Sequence, residues 1–305
     1  MTPEAKPPMP PMSPMPPAPT PSTLAAPTLS PLIRKKLEER ITGGQLELPV
    51  LPEVASQVVT LSNDPNADMR KMASLVQRDQ AMAGHLMRLA NSPFYAPKTP
   101  LVSLDQVVSR MGMKKVREIA LVISCQSKVF AVPGHEATVK KLFRHSLAAA
   151  AFAQEIARSR RWNVEEAFLC GLLHDVGRPV LLQELVDLHA EANLPFQAEA
   201  AAELMSLRHA EVGSTLVNGW SLPARLGETI LHHHFPSRST TAAQTAMMTN
   251  LADDLAHLLL ADDRTVTEAQ IREHPMLVPL NLYPDEMEAL LEKRSMVLGM
   301  IGSIA

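Results

Sequence analysis

The stretch Gly171-Leu172-Leu173-His174-Asp175-Val176-Gly177-Arg178 sets an imidazole and a carboxylate side by side inside an apolar run. Two such groups left unpaired in a hydrophobic helix would be costly, so the rest of the chain has to supply partners. Two solutions satisfy the chemistry. Neutral imidazole and carboxylate together hold a divalent cation well. A buried His-Asp hydrogen bond that only orders a core is the other, and the octapeptide alone admits both.

Around this stretch the chain is built for helices. Its 305 residues are 46% hydrophobic but only 4% aromatic, and Ala, Leu, Met and Val dominate. No Val, Ile, Thr or Tyr segment alternates as strands do, so an all-α fold is expected. Cys125 and Cys170 lie far apart without framework spacing, which predicts reduced thiols in a cytoplasmic protein. A net charge of -3, with no basic residues interleaved among aromatics, gives no footprint for nucleic acid. Neither a signal-peptide pattern nor an apolar run approaching the ~18 residues of a membrane span is present, so no membrane partner is expected.

Three segments follow from composition and patterning. Residues 1–30 are expected to form a disordered proline-rich tail. The stretch up to Pro31 holds 12 of the 26 prolines and only two charged residues, Glu4 and Lys6, which suits an extended tether better than a ligand for a proline-recognising groove. Residues 31–132 read as a bundle of short helices. One begins near Pro31 and ends at Gly43-Gly44; others carry Val54 to Leu61, Met69 to Val76, Leu86 to Leu89 and Val116 to Ile123. Ser103 with Gln106 predicts a capping box. Residues 133–305 read as a second bundle: a helix over about 138–160, a helix capped by Asn163 that delivers His174-Asp175, and one beginning at Leu207. A further helix ends at His232-His233-His234. A long one carries Asp253, and two short ones follow, the terminal one holding Met287 to Met300.

Histidines gather in this second half, on separate helices: His145, His174, His209 and the run His232 to His234. No zinc-finger or metalloprotease spacing is present, so any metal site has to be assembled in space by helix packing. His85 stands alone on its helix and reads as a core or surface imidazole. His189, His257 and His274 lack a motif partner and read as surface or packing residues.

The order His145, His174-Asp175, Asp253 resembles the HD superfamily of metal-dependent phosphohydrolases, and the added His209 and His233-His234 resemble the HD-GYP cyclic-di-GMP phosphodiesterases. More extensive is the similarity to the HDOD family, from about Leu48 onward. It runs through Leu48 to Pro52, Leu89 to Ser92, Arg144-His145-Ser146, Gly171 to Gly177, Trp220 to Pro223, His233 to Pro236 and Leu251 to Asp253. The resemblance implies two helical lobes, a regulatory N-terminal bundle and an HD-like C-terminal bundle. It also implies a bacterial signal-transduction module that works through partner signalling proteins, favoured here as non-catalytic. The alternative is a metal-dependent phosphohydrolase or cyclic-dinucleotide phosphodiesterase. On that reading His145, His174, Asp175 and Asp253 hold one ion and His209, His233 and His234 help hold a second, with Asp175 bridging. Manganese, iron or nickel suit this ligand set better than magnesium. Arg178 stands where HD-GYP proteins carry a lysine and remains a possible phosphate contact. Phe235-Pro236-Ser237-Arg238 stands where their Gly-Tyr-Pro loop is expected.

Overall fold

The computed structural model describes residues 30–304 apart from Pro65, Pro93, Phe94, Ala96, Ser221, Asp262 and Asp263. The proline-rich tail, up to residue 29, lies outside the described residues. Among those residues there are fifteen α-helices and no strand, as the composition predicts.

The first six helices are short: α1 (Pro31–Thr42), α2 (Glu53–Ser62), α3 (Met69–Gln77), α4 (Gln80–Ala90), α5 (Leu104–Met111) and α6 (Met113–Ser124). Their starts are set by side chains that accept orphan main-chain N–H groups: Asp68 from Arg70, Asp79 from Met82 and Ser103 from Gln106. At Ser103 only half the expected box forms, because the Gln106 side chain accepts from the Val102 N–H instead. A π-helical turn, Cys125–Val129, extends α6.

The remaining helices are α7 (Glu136–Ser159), α8 (Val164–Leu173), α9 (Gly177–Glu191), α10 (Ala198–Gly219), α11 (Ala224–His232), α12 (Ala243–Leu260), α13 (Glu268–Arg272), α14 (Pro284–Glu292) and α15 (Arg294–Ile304). Two boundaries differ from expectation. Helix α10 begins nine residues before Leu207, because Ala198 to Leu204 is rich in Ala, Glu and Leu, strong helix formers that bury only Ala200, Ala201 and Leu204. The terminal helix is two helices. A break at Lys293 lets Met287, Leu290 and Leu291 of α14 and Val297, Met300 and Ile301 of α15 each reach the core.

Two buried apolar clusters result. The smaller gathers Val58, Met72, Val76, Leu86, Val108 and Val116 from α2 to α6. The larger is centred on α7, α8 and α12 and takes in Leu121 and Val122 of α6 together with Ile33 and Leu37 of α1. Helix α1 lies against α9, where Arg40 pairs with Glu184 and Glu191.

Two glycines fix the octapeptide between its neighbours. A Cβ at Gly171 would stand 2.6 Å from the main chain of Ala149 and Ala150, so α8 meets the alanine stripe of α7 backbone to backbone. A Cβ at Gly177 would stand 2.1 Å from the His209 carbonyl oxygen, so the start of α9 is pressed against α10. Between them sit His174 and Asp175. Because the three nearest atoms to the Gly171 site are all backbone, no swing of a side chain relieves the clash. Gly171→Ala is therefore expected to lower stability by about 3 kcal/mol or more, read as a reduced urea midpoint. An unchanged midpoint would contradict the close helix contact.

Candidate metal centre

Three helices and two turns bring the motif residues to one place. His145 comes from the middle of α7, His174 and Asp175 from the turn joining α8 to α9, and His209 from α10. The turn after α11 supplies His233 and His234, and α12 supplies Asp253. All are buried except His234, which is half-buried. Asp253 Oδ1 lies 2.9 Å from His145 Nε2 and 3.5 Å from His174 Nε2. Asp175 Oδ1 lies 3.2 Å from His209 Nε2, which in turn is 3.0 Å from His234 Nε2 and 3.4 Å from His233 Nε2. His174 stands between the two groups, its Nε2 3.7 Å from Asp175 Oδ2.

The orientation of the rings is set by the main chain. The Nδ1 atoms of His174, His209 and His233 lie 2.8, 2.9 and 2.6 Å from the carbonyl oxygens of Gly171, Met205 and Ile230. A carbonyl only accepts, so each Nδ1 carries the proton and donates it. Nε2 is left to face the interior, as a lone pair whenever the ring is neutral. Burial lowers His209 to about 4, overriding the attraction of Asp175. Burial and the neighbouring imidazoles hold His233 well below the usual histidine range, and burial also lowers His234. These rings are thus neutral near pH 7, and the Nε2 atoms of His209 and His233 are acceptors.

Burial pushes the carboxylates up, but Asp175 is held well below the usual range by Arg178, His174 and His209, and Asp253 by its contacts with His145 and His174. Acceptor therefore faces acceptor. Lone pairs of His209 and His233 face each other, and that of His209 also faces an ionised carboxylate, while His174 Nε2 and Asp175 Oδ1 are buried and make no hydrogen bond. That donor set fits a divalent cation, which such convergence favours and which protein groups alone leave unsatisfied. Three overlapping sets have ligand atoms within 4.8 Å of one another: His209, His233 and His234; His145, His174 and Asp175; and His145, Asp253 and His257.

The last set corrects an expectation. His257 is not a residue without a partner at the site. Its Nε2 lies 3.4 Å from Asp253 Oδ1 and its ring centroid 4.4 Å from that of His145. The available signal was its position four residues after Asp253 on one helix, which places both on the same face. Outside the site, His189 and His274 are buried, His189 beside the Leu185 carbonyl and His274 beside Asp254, while His85 is exposed. His232 faces Glu228, away from the other rings of its run.

A cavity of about 810 Å³ opens over the cluster. His145, Asp175, His209, His234, Asp253 and His257 line its floor, and Lys141, Arg178 and Arg264 bring positive charge to its wall. Arg178 Nε is 2.6 Å from Asp175 Oδ2 and its guanidinium reaches Ser206 Oγ at 3.3 Å. Among the described residues no helix is long and apolar enough to cross a membrane.

An all-α chain with a buried His/Asp cluster beneath an open cavity is the class of protein these observations define. The chain belongs to the HDOD domain family, whose model matches residues 48–236. Its fold is similar to that of an HDOD domain protein of unknown function from Geobacter sulfurreducens. That pair shares 25% identity and a TM-score of 0.67, covering 88% of this chain and 98% of that one. It is also similar to a "putative metal-dependent phosphohydrolase" from Shewanella amazonensis, with 18% identity, TM-score 0.69 and coverage of 90% and 98%. A third, a "putative signal transduction protein" from Marinobacter aquaeolei, shares 22% identity at TM-score 0.61, covering 89% of this chain and 65% of that one. Among curated proteins it matches an uncharacterized protein of Treponema pallidum at 24% identity over 209 residues, which is 65% of this chain and 40% of that protein. The chain thus spans well under half the length of that relative.

Because His209, His233 and His234 bind protons more weakly folded than unfolded, unfolding takes up protons below about pH 6.5. Stability contributed by these rings is present above that pH and is lost as the pH falls toward 4. In chelator-treated protein the urea midpoint should drop across this window, and His209→Gln should make the drop shallower. A variant with the same slope as wild type would contradict the buried neutral imidazole.

Proposed function

We propose that this HDOD protein binds divalent metal in its C-terminal cavity and hydrolyses a phosphoester as part of bacterial signal transduction. One observation carries the reading: main-chain carbonyls occupy Nδ1 of His174, His209 and His233, so their Nε2 atoms and the carboxylates of Asp175 and Asp253 converge. His145, His174, Asp175 and Asp253 would hold one ion, and His209, His233 and His234 a second beside Asp175. Mixed imidazole and carboxylate ligation favours manganese, iron or nickel over magnesium. Bound there, such ions supply an acidified water and charge neutralisation for a phosphate.

The protein's own side chains do the rest. Arg178 orients Asp175 through its ion pair and offers guanidinium to a phosphate oxygen at the cavity wall. Lys141 adds a cation to the cavity wall that can meet an anionic substrate, whereas Arg264 is engaged by Asp254. The main-chain carbonyls of Gly171, Met205 and Ile230 keep three imidazoles in register. The name of the Shewanella amazonensis relative supports metal-dependent phosphohydrolysis, and that of the Marinobacter aquaeolei relative supports signalling.

A second reading is a metal-holding module that turns over nothing and acts through partner signalling proteins. The close pairing of Arg178 with Asp175 Oδ2 favours it, since that oxygen is then engaged by a guanidinium. Both readings suit a cytoplasmic protein, where Cys125 and Cys170 remain thiols.

Elemental analysis after reconstitution with manganese or iron, together with hydrolysis of bis(p-nitrophenyl) phosphate, separates them. The expected outcome is metal retained on the chain and turnover that Asp175→Asn lowers by about a hundredfold or more. Bound metal without turnover of phosphomonoesters or diesters would favour the second reading, and absence of bound metal would overturn both.

A further inference from the structure

We infer that His257 is a metal ligand and that it makes the cation position at Asp253 selective for nitrogen-preferring ions such as nickel over manganese. This rests on the metal-binding reading above and extends it to a residue outside the motif set.

Three imidazoles address a single carboxylate oxygen. Asp253 Oδ1 lies 2.9 Å from Nε2 of His145, 3.4 Å from Nε2 of His257 and 3.5 Å from Nε2 of His174. His145 stands between the other two, with ring centroids 4.4 Å from His257 and 5.4 Å from His174. His174 Nε2, at 3.5 Å, is long for a hydrogen bond to Asp253, and its Nδ1 donates to the Gly171 carbonyl.

The ligand atoms of His145, Asp253 and His257 lie within 4.8 Å of one another. Ligands each ~2.0 to 2.3 Å from one ion stand roughly 3 to 4.6 Å apart, a range that includes the 3.4 Å between Asp253 Oδ1 and His257 Nε2. Helix geometry explains the placement: residues four apart on α12 stack on one face, so Asp253 and His257 reach the same point. His257 also lines the cavity, which gives its ring access from the solvent side.

The consequence is a matter of donor type. With His257 included, this position has three imidazole nitrogens, His145, His174 and His257, beside the carboxylates of Asp253 and Asp175. Each added nitrogen strengthens binding of nickel or cobalt more than that of manganese, for which oxygen ligands serve nearly as well.

The simpler role for His257 is a hydrogen bond that positions Asp253. The two roles diverge when metals are compared. His257 is 15% exposed in its side chain, so truncation leaves no closed cavity in the core. Nickel and manganese affinities would be measured by calorimetric titration of metal-free full-length wild type, His257→Ala and His257→Gln, with folding checked by circular dichroism. Glutamine keeps an N–H donor but has no imidazole lone pair.

If His257 is a ligand, both variants lose nickel affinity by about tenfold or more while manganese affinity changes much less. Unchanged affinities, an equal loss for both ions, or recovery of nickel binding in His257→Gln would overturn the proposal while leaving the metal centre in place. Wild type that binds neither ion would defeat the metal-binding reading itself.

Discussion

Everything distinctive about this molecule depends on a commitment made by three main-chain carbonyls. By accepting from Nδ1 of His174, His209 and His233, Gly171, Met205 and Ile230 leave the opposite ring nitrogens facing inward. The inward nitrogens then meet ionised carboxylates and one another among buried side chains beneath an open cavity. Folding normally avoids such an arrangement, since buried acceptors without donors weaken the native state. Its presence in a chain otherwise well capped and well packed marks this cluster as the candidate functional site.

Holding these groups together requires helices to approach more closely than side chains normally allow. The alanine stripe of α7 and Gly171 of α8 bring two backbones into contact, and Gly177 does the same for α9 and α10. His145 and His209 come from the two helices contacted in this way, while His174 and Asp175 occupy the turn between the two glycines. The fold and the site are thus one constraint: a bulkier residue at either glycine would separate these side chains while it loosened the core. Helix α12 completes the arrangement by packing along α7 and α8 and presenting Asp253 and His257 to the same interior.

Much of this was legible in the sequence, for local reasons. Asn163 accepts from Glu166 as its cap pattern predicts, and α1 begins at Pro31 and ends at Gly43. The convergence of His145 with Asp253 was not local. These residues are 108 positions apart, and only the resemblance to a known motif order linked them before the structure did. Three features escaped. The first half of α10 has helix-forming residues without a strong apolar stripe, so periodicity gave no start signal. His257 fell beyond the last matched motif position, although its spacing from Asp253 carried the relevant geometry. The π-helical turn at Cys125–Val129 left no mark that pattern reading could use.

Anomalous diffraction from crystals grown with manganese or iron would test the central claim most directly, because it locates an ion independently of any activity. The expected map has anomalous peaks beside Asp253 Oδ1 and between Asp175 and His209, with the Nε2 atoms of His174, His209 and His233 turned toward them. A map without peaks, in which those imidazoles keep their present orientation, would contradict the account.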